Sequence, residues 1–207
     1  MFNLDTGSDG VGGPFLQWSA RGTMDGSVPA KTFYIRDGGD KTPYDATKGM
    51  VLDIAKMKTG WQKSEGIAGV APEWKWNHSV SQMMQSPGEE WKKGFSIPVA
   101  IGGGETATWE QAGTAAWQAL TDLAPTLQNQ PDPNQLPMVK ITDTKAMQFK
   151  RGSTVSPVLS IVKWVDRPDC LKDGAAAGIA MDPPAPKAAP AAPVVPAAPA
   201  GDDSLEF

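Results

Sequence analysis

Hydrophobic and polar residues alternate along much of this chain, and the alternation predicts strands. Phe15-Leu16-Gln17-Trp18-Ser19-Ala20-Arg21 puts Leu16, Trp18 and Ala20 on one face and Gln17, Ser19 and Arg21 on the other. Residues 31–36 repeat the pattern, with Phe33 and Ile35 inward and Tyr34 and Arg36 outward, before the turn Asp37-Gly38-Gly39-Asp40. A sheet with one wet face is expected. Residues 50–57 are a third apolar stretch, 74–79 and 94–101 are further strand candidates, and 138–149 and 154–165 read as two closing strands joined by Lys150-Arg151-Gly152. One segment changes period. Thr108-Trp109-Glu110-Gln111 fits a capping box, and Trp109, Ala112, Ala116, Leu120, Leu123 and Leu127 follow at helical steps, which predicts a helix over about 108–127.

A β-rich front half, one helix and two closing strands form the element order of an OB-fold. The expected fold is therefore mainly β, an OB-like five-stranded barrel with one α-helix. An irregular Gly- and Asp-rich segment, 1–14, would precede a domain spanning 15–174. Residues 183–200 contain seven Pro and eight Ala, so neither helix nor ladder propagates there, and 175–200 is expected to be a disordered linker. It leads to an acidic tip, Gly201-Asp202-Asp203-Ser204-Leu205-Glu206-Phe207. A terminal Phe with its carboxylate, beside three acids, suits an apolar pocket rimmed by Lys or Arg on another protein.

Composition narrows the class. With 22 Gly, 19 Pro and 20% charged residues in 207, the chain reads as a loop-rich globular protein. It has no apolar run of membrane-spanning length, and MFNLDTGSDG lacks the regions of a signal peptide. A single cysteine, Cys170, fits a reducing compartment, so a cytoplasmic location is expected, that of a bacterial host if the chain is phage-encoded. The net charge of −4 is unevenly spread: residues 140–172 hold Lys140, Lys145, Lys150, Arg151, Lys163, Arg167 and Lys172 against Asp143, Asp166 and Asp169.

Catalytic constellations are weak. Asp5-Thr6-Gly7-Ser8 matches the aspartic-protease signature once only, where a pair is needed, and too few residues precede it to support it. Gly102-Gly103-Gly104-Glu105-Thr106 lacks the ending of a phosphate-cradling loop. His78 is the sole histidine, which argues against zinc sites and Ser/His/Asp triads. No enzyme activity, metal or cofactor is expected.

Tryptophan is the unusual feature. Eight occur, several beside cations: Lys58-Thr59-Gly60-Trp61-Gln62-Lys63, Trp74-Lys75-Trp76, Trp91-Lys92-Lys93 and Lys163-Trp164. Exposed aromatics stack on bases of any identity while cations track phosphates, which is the chemistry of single-strand binding without sequence preference. Trp18, Trp109, Trp117 and Trp164 have apolar neighbours and read as core. The expected strand path crosses the open face of the barrel. Tyr34, Trp61, Trp74 and Trp76 would stack there, and Arg21, Arg36, Lys58, Lys63, Lys75, Lys150 and Arg151 would neutralise phosphates.

A β domain rich in basic and aromatic pairs, a Pro/Ala linker and an acidic tip ending in Phe207 resembles the single-stranded DNA-binding proteins of phage and bacterial replication, in particular the phage OB-fold type. The resemblance implies that Asp202, Asp203, Leu205, Glu206 and Phe207 recruit replication or recombination proteins. The bacterial tip usually has a longer acidic run and a Pro before the final Phe, where this chain has Ser204, Leu205 and Glu206. A homo-oligomer is open. Two other classes stay open: a phage structural or assembly protein without nucleic-acid binding, and a carbohydrate-binding module with Trp platforms.

Overall fold

The computed structural model describes residues 13–66, 70–150 and 152–172. The N-terminal residues 1–12, and with them Asp5-Thr6-Gly7-Ser8, lie outside it, as do the linker and acidic tip. Period-2 alternation becomes strands β1 (Phe15–Ser19), β2 (Thr32–Asp37), β3 (Asp40–Tyr44), β4 (Met50–Leu52), β5 (Lys58–Lys63), β6 (Glu73–Trp76), β7 (Lys92–Ala100) and β8 (Thr106–Ala112). One helix, α1 (Thr114–Leu127), and a long hairpin, β9 (Gln135–Phe149) and β10 (Gly152–Asp166), complete the chain order. The fold is mainly β with one helix, and the sheet is open and curled into a half-barrel. Among the described residues no helix is long and apolar enough to cross a membrane.

Two expectations change. Among the described residues the sheet contains ten strands rather than five. Polar β3 and β5, DKTPY and KTGWQK, carry little hydrophobic alternation and are strands because their neighbours pair with them. The helix begins at Thr114, not near 108, because Thr106–Ala112 forms a strand held by β7 along its length and by β1 over part of it. Ala107 and Trp109 are buried at period 2 within it, so pairing overrides the helical reading of Trp109 and Ala112. Gly113, at φ 115°, then turns the chain into α1 with no side-chain cap.

The strand order is β10-β9-β4-β7-β8-β1-β2-β3, antiparallel except for the parallel pair β1–β8. One edge of β7 serves two strands. Its end pairs with β4 through Leu52 opposite Val99, and its start pairs with β5 through Lys58 opposite Ser96, with the short 3-10 turn Ile54–Lys56 between. The sheet forks there. β4 leads to the β9–β10 arm, while β5 and β6 form a small wing.

Inward side chains of the sheet pack with α1. Trp18 and Phe33 have ring centroids 5.0 Å apart, and Phe33 and Phe95 meet Trp109 nearly edge-on at 5.5 and 4.8 Å. Ala116, Ala119 and Leu123 close this core from the helix. Side chains bridge where the ladder lapses. The Gln111 amide accepts from Trp18 N–H at 2.8 Å and donates to Trp18 C=O at 2.9 Å, taking the place of a missing strand neighbour. The arm is tied back by the Trp18 indole N–H to Val155 C=O at 2.8 Å, Arg21 to Ser153 C=O at 2.6 Å and the Ser156 hydroxyl to Ala115 C=O at 2.7 Å.

The chain leaving β10 is clipped to the turn after β4. Asp53 is fully buried, its Oδ2 pairs with Arg167, and Lys56 lies 4.0 Å away. Arg167 and Lys56 also donate to Leu171 C=O at 3.4 and 3.3 Å. Arg167→Leu strands a buried carboxylate and is expected to cost about 3 kcal/mol of folding free energy in urea denaturation. A loss below about 1 kcal/mol would mean that Lys56 alone compensates Asp53.

Candidate nucleic-acid interface

Strand register assigns each candidate residue to a face, because directly opposed residues point the same way. Gly60 opposes Trp76, Gln62 opposes Trp74 and Trp61 opposes Lys75. Lys58 opposes Ser96, which opposes Glu110, and Gln17 opposes Tyr34 as Phe15 opposes Arg36. Tyr34, Arg36, Lys58, Trp74 and Trp76 therefore share the face turned away from α1. Trp61, Lys63 and Lys75 belong to the helix side, so Trp61 is separated from the aromatics expected to stack beside it. Arg21 follows β1 on the helix side, Lys150 lies exposed at the arm's tip, and Arg151 falls outside the described residues.

On the face away from α1, Trp74 and Trp76 stack at 4.3 Å with 8° between planes. The absence of a side chain at Gly94 makes this possible, since a Cβ there would approach Trp74 Cη2 to 2.6 Å. Trp74 Nε1–H donates to Glu110 Oε1 at 3.1 Å. Burial raises the Glu110 carboxyl above its ordinary range, and the Trp74 bond with Arg36 and Lys58 opposes the shift. Tyr34 donates to Gln17 Oε1 at 2.6 Å, and burial raises its hydroxyl.

The helix side holds a concavity of about 760 Å³ between the end of β1, the start of β7, the start of α1 and the tip of the arm. Arg21, Lys92 and Lys93 are its cations, and Trp18, Trp91, Trp117 and Phe149 its aromatics. No Asp or Glu is among its described lining residues. Lys93 Nζ sits 5.8 Å from the Trp61 ring centroid and 5.9 Å from that of Trp117, and Lys75 Nζ lies 4.5 Å from that of Trp91. Phe149 is 45% exposed at the rim. The first turn of α1, from Gly113 to Ala116, lines the cleft and carries no acidic residue, so its unpaired N–H groups add partial positive charge.

Among the described residues of the expected set, Arg21 alone lines this cleft directly, while Trp61 and Lys75 support its wall through the cation–ring contacts. Trp91, Lys92, Lys93, Trp117 and Phe149 are added by the structure. The run Trp91-Lys92-Lys93 carried the aromatic-cation signal. Helical spacing concealed Trp117, which sits at the rim of the core, partly buried. Among the described residues no cluster of His, Cys, Asp and Glu could hold a metal ion. No family model, no curated protein and no solved structure matches this chain.

A raised native carboxyl means that the folded protein keeps a proton the unfolded chain has released. Stability from this group is present below the unfolded value of 4.5 and is lost as pH rises through the native one. Glu110→Gln keeps an oxygen for Trp74 and is expected to melt at a higher temperature than wild type at neutral pH, with the gap closing below about pH 4. Equal melting temperatures throughout would mean that Arg36 and Lys58 fully offset the desolvation.

Proposed function

We propose that this protein binds single-stranded DNA without sequence preference in the helix-side cleft, and that its acidic tip docks on replication or recombination proteins of the kind used by phage and bacteria in the cytoplasm. One observation carries the reading: a chain of net charge −4 gathers three cations and four aromatic rings around one cleft whose described lining has no carboxylate. Cations in a concave, partly apolar site attract a phosphate backbone more strongly than the same charges scattered over a convex surface. Each base offers a π face, worth about 1–3 kcal/mol when stacked on an aromatic side chain. A duplex keeps those faces inside its own stack, so stacking favours single strands. In this reading the half-barrel does the work of an OB-like barrel, a curved β scaffold that presents cations and aromatics to a strand.

Titration with fluorescent oligo-dT and a matching duplex at two salt concentrations tests the reading. Salt-sensitive single-strand binding with quenching of Trp fluorescence is expected, with much weaker duplex binding. Lys93→Glu is expected to weaken binding about tenfold or more and to flatten the salt dependence by about 0.7 for each phosphate that is no longer neutralised. Trp91→Ala is expected to cost about 1–3 kcal/mol alike for dT, dA and dC oligomers. Unchanged affinity of both folded variants would remove the cleft from the site.

Removal of residues 183–207 is expected to leave the melting temperature unchanged and DNA affinity equal or higher, since a competing polyanion is gone. A marked loss of affinity would refute the assignment of the tip to protein partners.

A further inference from the structure

We propose that the bound strand does not end in the cleft but continues around the first residues of β7 onto the face turned away from α1, where Trp76, Lys58 and Arg36 hold its next nucleotides. This inference rests on the reading of the cleft as a single-strand site. The two surfaces are continuous. Lys92 lines the cleft, yet its register partner is Gln62, which opposes Trp74 on the far face. Ala112 also lines the cleft, while a Cβ at Gly94 would come within 2.8 Å of the Ala112 methyl and 2.6 Å of Trp74. Cleft lining and indole stack thus meet across the start of β7, with a lysine at the corner.

The far face has what a passing strand needs. The stack is preorganised, because Trp74 is fixed by its packing over Gly94 and its bond to Glu110, and Trp76 lies parallel upon it. Both rings are only partly buried, so a base that joins the stack meets a surface already ordered. Arg36 and Lys58 are exposed on the same face. Along β7, Lys92 and the register partner of Lys58, Ser96, are four residues apart, about 13 Å at ordinary strand rise. That spacing gives an extended backbone a second cation after the corner. Among the described residues, Glu110 is the acid that faces these cations in the register of β7 and β8, and it is partly buried and hydrogen-bonded to Trp74. The cation–aromatic face, continuous with the cleft, commits the occupant to single-stranded nucleic acid.

The test uses the full chain and oligo-dT of about 4 and about 20 nucleotides, lengths that bracket a short and a long site. Arg36→Glu/Lys58→Glu replaces two exposed residues and spares the core. It is expected to weaken binding of the long oligomer about tenfold and reduce its salt dependence, leaving the short oligomer unchanged, whereas Lys93→Glu weakens both. Trp76→Ala should reproduce the long-oligomer loss alone. Unchanged long-oligomer binding in these folded variants overturns the extended path and leaves the cleft reading intact. Loss of self-association on sedimentation, with DNA binding unchanged, would overturn it in favour of an interface between copies. Failure of the wild type to bind either oligomer overturns the cleft reading itself.

Discussion

Two strands share one edge of β7, and most of the molecule follows from how that edge is divided. Backbone N–H and C=O groups in the interior have to be paired, and each strand has two rows of them to satisfy. β8 occupies one row of β7 from Gly94 to Ala100, while the other is split between β4 and β5. At the split the Asp53 N–H donates to Pro98 C=O at 2.9 Å, on a residue with no N–H of its own. The chain therefore leaves β7 in two directions. The β9–β10 arm curls over α1 on one branch and the β5–β6 wing stands off on the other, while the cleft lies between the start of β7, the first turn of α1 and the tip of the arm.

Closure of the arm depends on side chains rather than on a ladder. Trp18, Arg21 and Ser156 each supply a hydrogen bond between segments far apart in sequence, and Gln111 stands in for a peptide group between β1 and β8. Trp18 thereby serves two ends. Its ring belongs to the core beside Phe33, while its N–H holds the wall of the cleft. Arg21 combines the same two roles at the surface, binding Ser153 C=O while keeping its charge at the cleft. Core packing and the cleft wall share residues here, so a change that loosens the core should also alter the cleft.

Charge is sorted by tertiary placement. Lys63 pairs with Glu90 at 3.1 Å and Lys41 with Asp25 at 2.6 Å, which also holds the Asp25 carboxyl below its usual range. Lys92 and Lys93 face a cleft with no acid in its described lining. Exposed ion pairs of the first kind add little to stability. Cations gathered in a concavity cost some self-repulsion, and they produce a field that the overall charge of the chain conceals.

Several features were legible in the residues alone. Leu16-Trp18, Phe33-Ile35, the apolar run into Ile101 and the two closing strands carried their own alternation, because a side chain's face in a strand depends only on its place in a two-residue repeat. Trp109 carried two periods at once, and the helical one misled: the winner was set by β7 and β1, partners that a local window does not contain. The aromatic-cation pairs marked the right segments but not their sides. Trp61 and Trp76 look equivalent along the chain, yet they point to opposite faces because Trp61 aligns with Lys75 and Trp76 with Gly60. The cleft itself was invisible, since it unites the end of β1, the start of β7, the first turn of α1 and the tip of the arm. Local propensity and periodicity are properties of neighbouring residues and so are present in the sequence. Register, the fork at β7 and the gathering of cations depend on pairing between distant segments, which only the folded chain decides.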